Sequence, residues 1–219
     1  DMYKSDFYAF DDIDLPAKKL YAAVKFKVME KYPIGVIHID GDVLLKNSNL
    51  IELLKFDEYD CIVQSVEAPP VYGWGWDWSA SVWDNCEYPE WANRKCEIMY
   101  NCGVVGFNNK ELKDEYFNTY WDMYKQYLEK GINKDSVPDL IIEQQFLYDL
   151  CCDKKYKVKC LIDGNHPSKS ANQIGYQHLI GETKQKEYKQ ILKIIKNLDI
   201  NIYNQLKKKF YGSVKSCWS

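Results

Sequence analysis

Residues 33–47 read PIGVIHIDGDVLLKN. From Ile34 to Ile39 the chain is apolar apart from Gly35 and His38. A short apolar run of this kind predicts a buried strand, placed at the centre of a parallel sheet. The run ends in Asp40-Gly41-Asp42. Side chains alternate along an extended chain, so carboxylates separated by one residue project to the same side. Gly41 lets the backbone turn and come close to a ligand. In open α/β sheets ligands sit beyond the carboxyl ends of the strands. An acidic pair placed there is suited to holding a hard divalent cation through oxygen.

The flanks fit an αβ unit. Upstream, residues 16–32 predict a helix, with Pro16 in its first turn. Leu20, Ala23, Val24, Lys27 and Val28 recur at helical spacing, with lysines on the other face. Downstream, residues 49–56 predict a short helix and residues 60–66, DCIVQSV, the next strand. Residues 69–91 are different in kind: Tyr72, Trp74, Trp76, Trp78, Trp83, Tyr88 and Trp91 stand among Gly, Pro, Asp and Ser with no clean period. Such a stretch is an ordered loop, either a wall on which sugar rings stack or a satellite core.

Residues 98–107, IMYNCGVVGF, predict a strand broken at Asn101-Cys102-Gly103. Asn108 or Asn109 then caps a helix to Lys130 that buries Leu112, Tyr116, Tyr120, Tyr124 and Leu128, and Gly131 stops it. PDLIIEQQFLYDL, from Pro138, predicts a further helix in which Glu143 and Gln144 interrupt an apolar pattern. An exposed helix face is the ordinary explanation of such polar residues. Residues 156–162 alternate as a strand does, 163–176 form a polar loop containing His166, and an amphipathic helical stretch begins at Lys184. Without repeats or a linker, residues 1–219 read as a single domain.

Composition narrows the class. Apolar residues make up 46% and charged residues 28%, the balance of a globular chain rather than a disordered one. The 29 basic residues are interleaved with 32 acids for a net charge of -3, which disfavours nucleic acid as a partner. No apolar stretch reaches the length of a membrane span and no signal peptide is visible. The chain begins at Asp1 rather than Met, which is compatible with processing. Its 8 cysteines include no C-x-x-C pair, so a zinc site is poorly supported. Cys61, Cys102, Cys151, Cys152 and Cys160 have apolar neighbours, as buried free thiols do. A reducing, cytoplasmic location is expected on that ground, with a secreted protein that carries some disulfides as the alternative.

Four stretches follow one another in a known order: HIDGDVLL, YNCGVVGFNN, IIEQQFLYDL and HLIGETK. With them the chain resembles a GT-A glycosyltransferase, closest to the glycogenin-like and related polysaccharide-synthesising retaining families. The resemblance implies a GT-A-like, Rossmann-like α/β fold whose mixed, mostly parallel sheet is flanked by helices. It implies that Asp40, Asp42 and His178 hold a manganese or magnesium ion on the donor diphosphate, and that Gly181 and Lys184 contact that diphosphate. Asn101 and Gly103 would line the donor sugar pocket, and Glu143 and Gln144 would lie at the transferred sugar as the catalytic pair. Trp74, Trp76 and Trp78 are the expected acceptor wall.

The expected activity is metal-dependent transfer of a sugar from a nucleotide-diphosphate donor to a saccharide or other hydroxyl acceptor. The chain also departs from the pattern. Gln185-Lys186 stand where the family often has Pro-Trp, and the acid-Gln pair is Glu-Gln rather than Asp-Gln. Only 39 residues precede Asp40, fewer than the family spends on its first strand and base pocket, so a shortened or minimal N-terminal part is expected. Two alternatives stand beside this reading. VIHIDGDVLL also has the strand and paired aspartates of a haloacid-dehalogenase-type phosphatase, although Val43-Leu44 follow where a Thr is usual. A catalytically inactive GT-A-like carbohydrate-binding protein would keep the tryptophan-rich stretch without the transfer.

Overall fold

A computed structural model describes residues 22–45, 50–67, 86–92, 98–130, 141–164 and 167–178, with positions 193, 196, 197, 200, 201 and 204. The fold is mixed α/β, a small mixed sheet flanked by helices. The chain divides into two compact units, one of Asp1–Asp40 with Leu45–Tyr176 and one of Gly41–Leu44 with Gln177–Ser219.

Among the described residues, the first unit is built on a four-stranded sheet. Its strands are β1 (Ile37–Ile39), β3 (Cys61–Glu67), β4 (Met99–Phe107) and β5 (Val158–Cys160), in the order β1-β4-β3-β5. β4 is antiparallel to both β1 and β3, and β5 is parallel to β3. The expectation of a mostly parallel sheet therefore needs correction: two of the three pairings are antiparallel. The strand before Asp40 is not the centre either. Among the described residues β1 pairs only with β4, and Ile34 and Val36 are 43% and 40% exposed. Gly35 takes a left-handed φ of 84°, which no extended strand can hold, so the ladder starts only at Ile37. The buried centre is β4, whose residues from Tyr100 to Phe107 are all buried. β1, β3 and β5 run the same way, so their carboxyl ends share one edge, where β4 begins.

Among the described residues, three helices supply the core on this sheet. α1 (Ala22–Glu30) buries Ala22, Ala23, Phe26 and Met29. This face is rotated from the expected one: Val24 is 47% exposed, and Phe26 instead stacks on Tyr120 with ring planes 11° apart. The part of the expected helix before Ala22 lies outside the described residues. After the four-residue α2 (Leu50–Leu53) and strand β3, the long helix α3 (Lys110–Lys130) buries Leu112, Tyr116, Phe117, Tyr120 and Met123. Asn109 is its cap: Oδ1 accepts the Leu112 N–H at 3.1 Å, one of the donors that a helix start leaves open. The end of α1 is closed by Lys113, whose Nζ donates to the carbonyls of Met29 and Tyr32 at 2.9 and 2.6 Å. A π-helical turn, Ile141–Gln145, leads into α4 (Phe146–Lys154), whose Phe146, Leu147, Leu150 and Cys151 complete the core.

Three further expectations change. The strand across Asn101-Cys102-Gly103 is not broken but bulged: Val63 faces Val105 and Ser65 faces Asn101, so β4 carries two extra residues there. The polar loop after residue 163 contains a helix, α5 (Pro167–Ile174), begun by Pro167 and ended at Gly175 with a φ of 70°. Cys152 and Cys160 are exposed, whereas Cys61, Cys86, Cys102 and Cys151 are buried, and all six are free thiols. The far end of the tryptophan-rich stretch packs on the core, with Trp91 edge-on to Phe146 at 5.7 Å. No helix among the described residues is long and apolar enough to cross a membrane.

The second unit contains most of a two-stranded ladder, β2 (Val43–Leu45) with β6 (Tyr176–His178). Only the end residues Leu45 and Tyr176 belong to the first unit.

Candidate functional site

The site begins with Asp40, directly after β1. Its backbone N–H continues the β1–β4 ladder by donating to the Gly103 carbonyl at 2.9 Å. Its Oδ1 receives two cationic or polar donors. Lys25 Nζ lies 2.8 Å away and His38 Nε2 2.9 Å away, so a single oxygen takes both and neither contact uses Oδ2. His38 stands two residues before Asp40, on the same face of the strand. Burial alone would raise the Asp40 pKa; the His38 hydrogen bond and the Lys25 ammonium outweigh it and hold the carboxyl down to about 2.

The helical pattern puts lysines on the face of α1 away from the core, yet the Lys25 side chain is only 11% exposed. It sits between two acids: besides Asp40 it reaches Glu143 Oε1 at 2.5 Å, and it donates to the Cys102 carbonyl at 3.0 Å. Desolvation pushes its pKa down, but the Glu143 and Asp40 carboxylates more than offset this and the net direction is upward. A buried lysine of this kind stays charged because it is paired.

Glu143 and Gln144 are not on an exposed face, as sequence suggested for such polar residues. They lie in the π-helical turn, 3% and 8% exposed. The turn is held from outside: the Glu143 carbonyl accepts from Tyr116 Oη at 2.6 Å and from the Cys102 thiol at 3.7 Å. Single π turns inside helices recur at functional sites. The Gln144 Oε1 atom is buried and has no hydrogen-bond partner among the described residues. A buried acceptor left open in this way calls for a donor from a ligand or water.

The bulge in β4 connects these groups. Asn101 Oδ1 accepts the Gly103 N–H at 2.9 Å while its Nδ2 donates to Glu67 Oε1 at 2.8 Å. Both ends of the Asn101 amide are thus used within the protein. The next residue, Cys102, offers its carbonyl to Lys25, and Gly103 offers its own to Asp40.

In the second unit Asp42 Oδ1 lies 3.2 Å from His178 Nε2, with side chains 26% and 12% exposed. These two residues come from distant parts of the sequence, and the β2–β6 ladder brings them together. Asp40 is tied to Asp42 through Gly41 alone, and two residues of extended chain span at most about 7 Å. Each of the three side chains offers one ligand atom, a carboxylate oxygen from Asp40 and from Asp42 and an imidazole nitrogen from His178. This donor set fits manganese, with magnesium second.

Gly181, Lys184, Trp74, Trp76 and Trp78 lie outside the described residues, as does His166. Lys25, His38 and Glu67 are the residues that sequence reasoning passed over. His38 could have been found from the two-residue period in His38-Ile39-Asp40. Lys25 could have been found from its place on the helix face shared by Ala22, Phe26 and Met29.

The chain belongs to a family of unknown function, DUF6734, which matches residues 2–212. No curated protein and no solved structure matches it.

Proposed function

We propose that this family member is a GT-A-like, metal-dependent glycosyltransferase that moves a sugar from a nucleotide-diphosphate donor to a hydroxyl acceptor, most naturally a saccharide. The observation that carries the proposal is the Asp42–His178 contact: Asp42 of DGD and His178, the first residue of HLIGETK, are far apart in sequence and lie 3.2 Å from each other. Asp40, Asp42 and His178 would hold the cation. Bound there, a manganese or magnesium ion supplies Lewis-acid stabilisation to the negative charge that grows on a departing diphosphate.

The chain's own residues do the rest. Lys25 and His38 keep the Asp40 carboxylate charged and oriented. Lys25 also fixes Glu143, and Gln144 Oε1 would accept a hydroxyl of the transferred sugar. Asn101 and Gly103 shape the floor on which Asp40 rests. Gly181 and Lys184 are assigned to the diphosphate and Trp74, Trp76 and Trp78 to the acceptor. Lys184 contributes a point charge, and its loss in Lys184→Ala should weaken nucleoside diphosphate more than free sugar.

The test is a panel of nucleotide sugars titrated calorimetrically into the protein with manganese present, followed by assay of the tightest binder for transfer to saccharides. Binding of one nucleoside-diphosphate sugar and its metal-dependent turnover is the expected result. Release of phosphate from simple esters, with no response to any nucleotide sugar, would assign the acid pair to a phosphatase instead. Free-sugar binding without donor binding would leave a carbohydrate-binding protein.

A further inference from the structure

We infer that Glu67 is a positioning residue that sets Asp40 in place through the bulge of β4. The inference rests on the proposed metal-dependent function for its consequence, though not for its geometry.

Five contacts make the path. Glu67, the last residue of β3, accepts Asn101 Nδ2 on Oε1 at 2.8 Å. A side-chain amide has one donor end and one acceptor end, so this bond fixes which way the Asn101 amide faces. With Nδ2 held by Glu67, Oδ1 is turned to the Gly103 N–H, which it accepts at 2.9 Å. Gly103 in turn presents its carbonyl to the Asp40 N–H at 2.9 Å. The same bulge turns the Cys102 carbonyl to Lys25 Nζ, which is itself on Asp40 Oδ1.

Asp40 is therefore fixed twice from residues 101–103, once at its backbone and once, through Lys25, at its carboxylate. A regular strand could not do both. In an antiparallel ladder successive carbonyls point to opposite neighbours, and the two extra residues of β4 open a stretch that no longer pairs regularly with β3. The price of such a bulge is a set of unpaired backbone groups. Asn101 closes one of them only while its amide faces the right way, and Asn101 is 2% exposed, so water cannot take over.

Carboxylates that bind metals depend on partners of this sort, and loss of one weakens binding by about 10–100-fold. Glu67 does not belong to the set of proposed ligands and was not marked by any motif. It acts on the ligand Asp40 through Asn101 and Gly103.

The experiment compares wild type with Glu67→Gln, Glu67→Asp and Glu67→Ala by two readouts. The first is amide hydrogen exchange at Gly103 and Asp40 in metal-free protein. The second is calorimetric affinity for manganese alone. Glu67→Gln keeps an acceptor at the same reach and should retain wild-type protection and affinity. Glu67→Ala should lose protection at both amides by about fivefold or more, the effect of a lost hydrogen bond, and manganese affinity by about tenfold. Glu67→Asp withdraws the oxygen by one methylene and should behave as Glu67→Ala does, which keeps the comparison decisive if the alanine variant does not fold.

Unchanged protection at both amides in the Ala and Asp variants overturns the inference. Protection lost at Gly103 alone, with Asp40 and manganese affinity unchanged, also overturns it, because the bulge would then not reach Asp40. If wild type binds no manganese, the metal-dependent function falls and the exchange pattern alone decides the role of Glu67.

Discussion

Lys25 shows what a single residue can carry in this protein and why sequence did not reveal it. Its partners Asp40 and Glu143 are remote in sequence, the second by 118 positions, and no helical period announces an ion pair across that distance. The motif residues Asp40, Asp42 and His178 were legible because their spacing to glycine and lysine is local; a pairing partner supplied by another element is not. Replacing Lys25 by Met leaves the buried Glu143 carboxylate and the Asp40 carboxylate without the cation that they share. We expect Lys25→Met to lower stability by about 3–5 kcal/mol, measured by urea unfolding, and Glu143→Leu in the same chain to recover part of that loss. A shift of under half a kcal/mol would mean that the pair is open to solvent. The cysteines offer a second residue-scale check. Contact with Cys151 and then burial push the Cys61 thiol up, and burial pushes the Cys102 thiol up, so neither forms a thiolate readily. Alkylation of native protein followed by mass spectrometry should label Cys152 and Cys160 well before Cys61, Cys86, Cys102 and Cys151. Early labelling of any of the four buried thiols would contradict the packing described.

At the scale of elements, sequence located most helices and strands and misread their internal detail. Helix α3 was found to within a residue at its start because Asn108-Asn109 precedes a strong apolar stripe. Asn109→Ala should cost about 1–2 kcal/mol by chemical denaturation, toward the upper end because Nδ2 also donates to Asp60 Oδ1 at 2.9 Å; an effect near zero would show that the cap is not formed in solution. The bulge of β4 looked like a break because Asn and Gly disfavour strands, and local propensity cannot see that Glu67 and Asp40 give their backbone and side chains partners. Helix α5 looked like a loop because PSKSANQI carries little apolar signal, whereas Pro at its start and Gly175 after its end mark the boundaries. The π turn at Ile141–Gln145 was hidden for another reason: one added residue per turn does not disturb an apolar pattern as short as this one. The tryptophan-rich stretch is tested kinetically. Trp74→Ala, Trp76→Ala and Trp78→Ala should include at least one variant with a raised KM for acceptor and near-normal donor hydrolysis. Three variants that merely unfold, or that leave acceptor kinetics untouched, would make the stretch structural.

For the whole molecule, sequence indicated a mixed α/β fold and an acidic pair at a strand end, and the structure agrees at that level. Strand direction and order were not legible. Apolar runs such as DCIVQSV and VVGF report burial on both faces and nothing about which neighbour they pair with, so β4 was not foreseen between β1 and β3. The consequence for function is small, because the antiparallel insertion of β4 still leaves the carboxyl ends of β1, β3 and β5 on one edge. Asp40 and Glu67 stand at that edge, and the bulge of β4 runs beside them. In the proposed function, the acids and the histidine together make nucleoside-diphosphate binding depend on a divalent cation. The most direct measurement is calorimetric titration of a nucleoside diphosphate into wild type, Asp42→Ala and His178→Ala, each with manganese and with a chelator. Wild type should bind with manganese at least about tenfold more tightly than with chelator, and both variants should lose that gain. Equal affinity with and without manganese in wild type, or a full manganese response in either variant, would contradict the account.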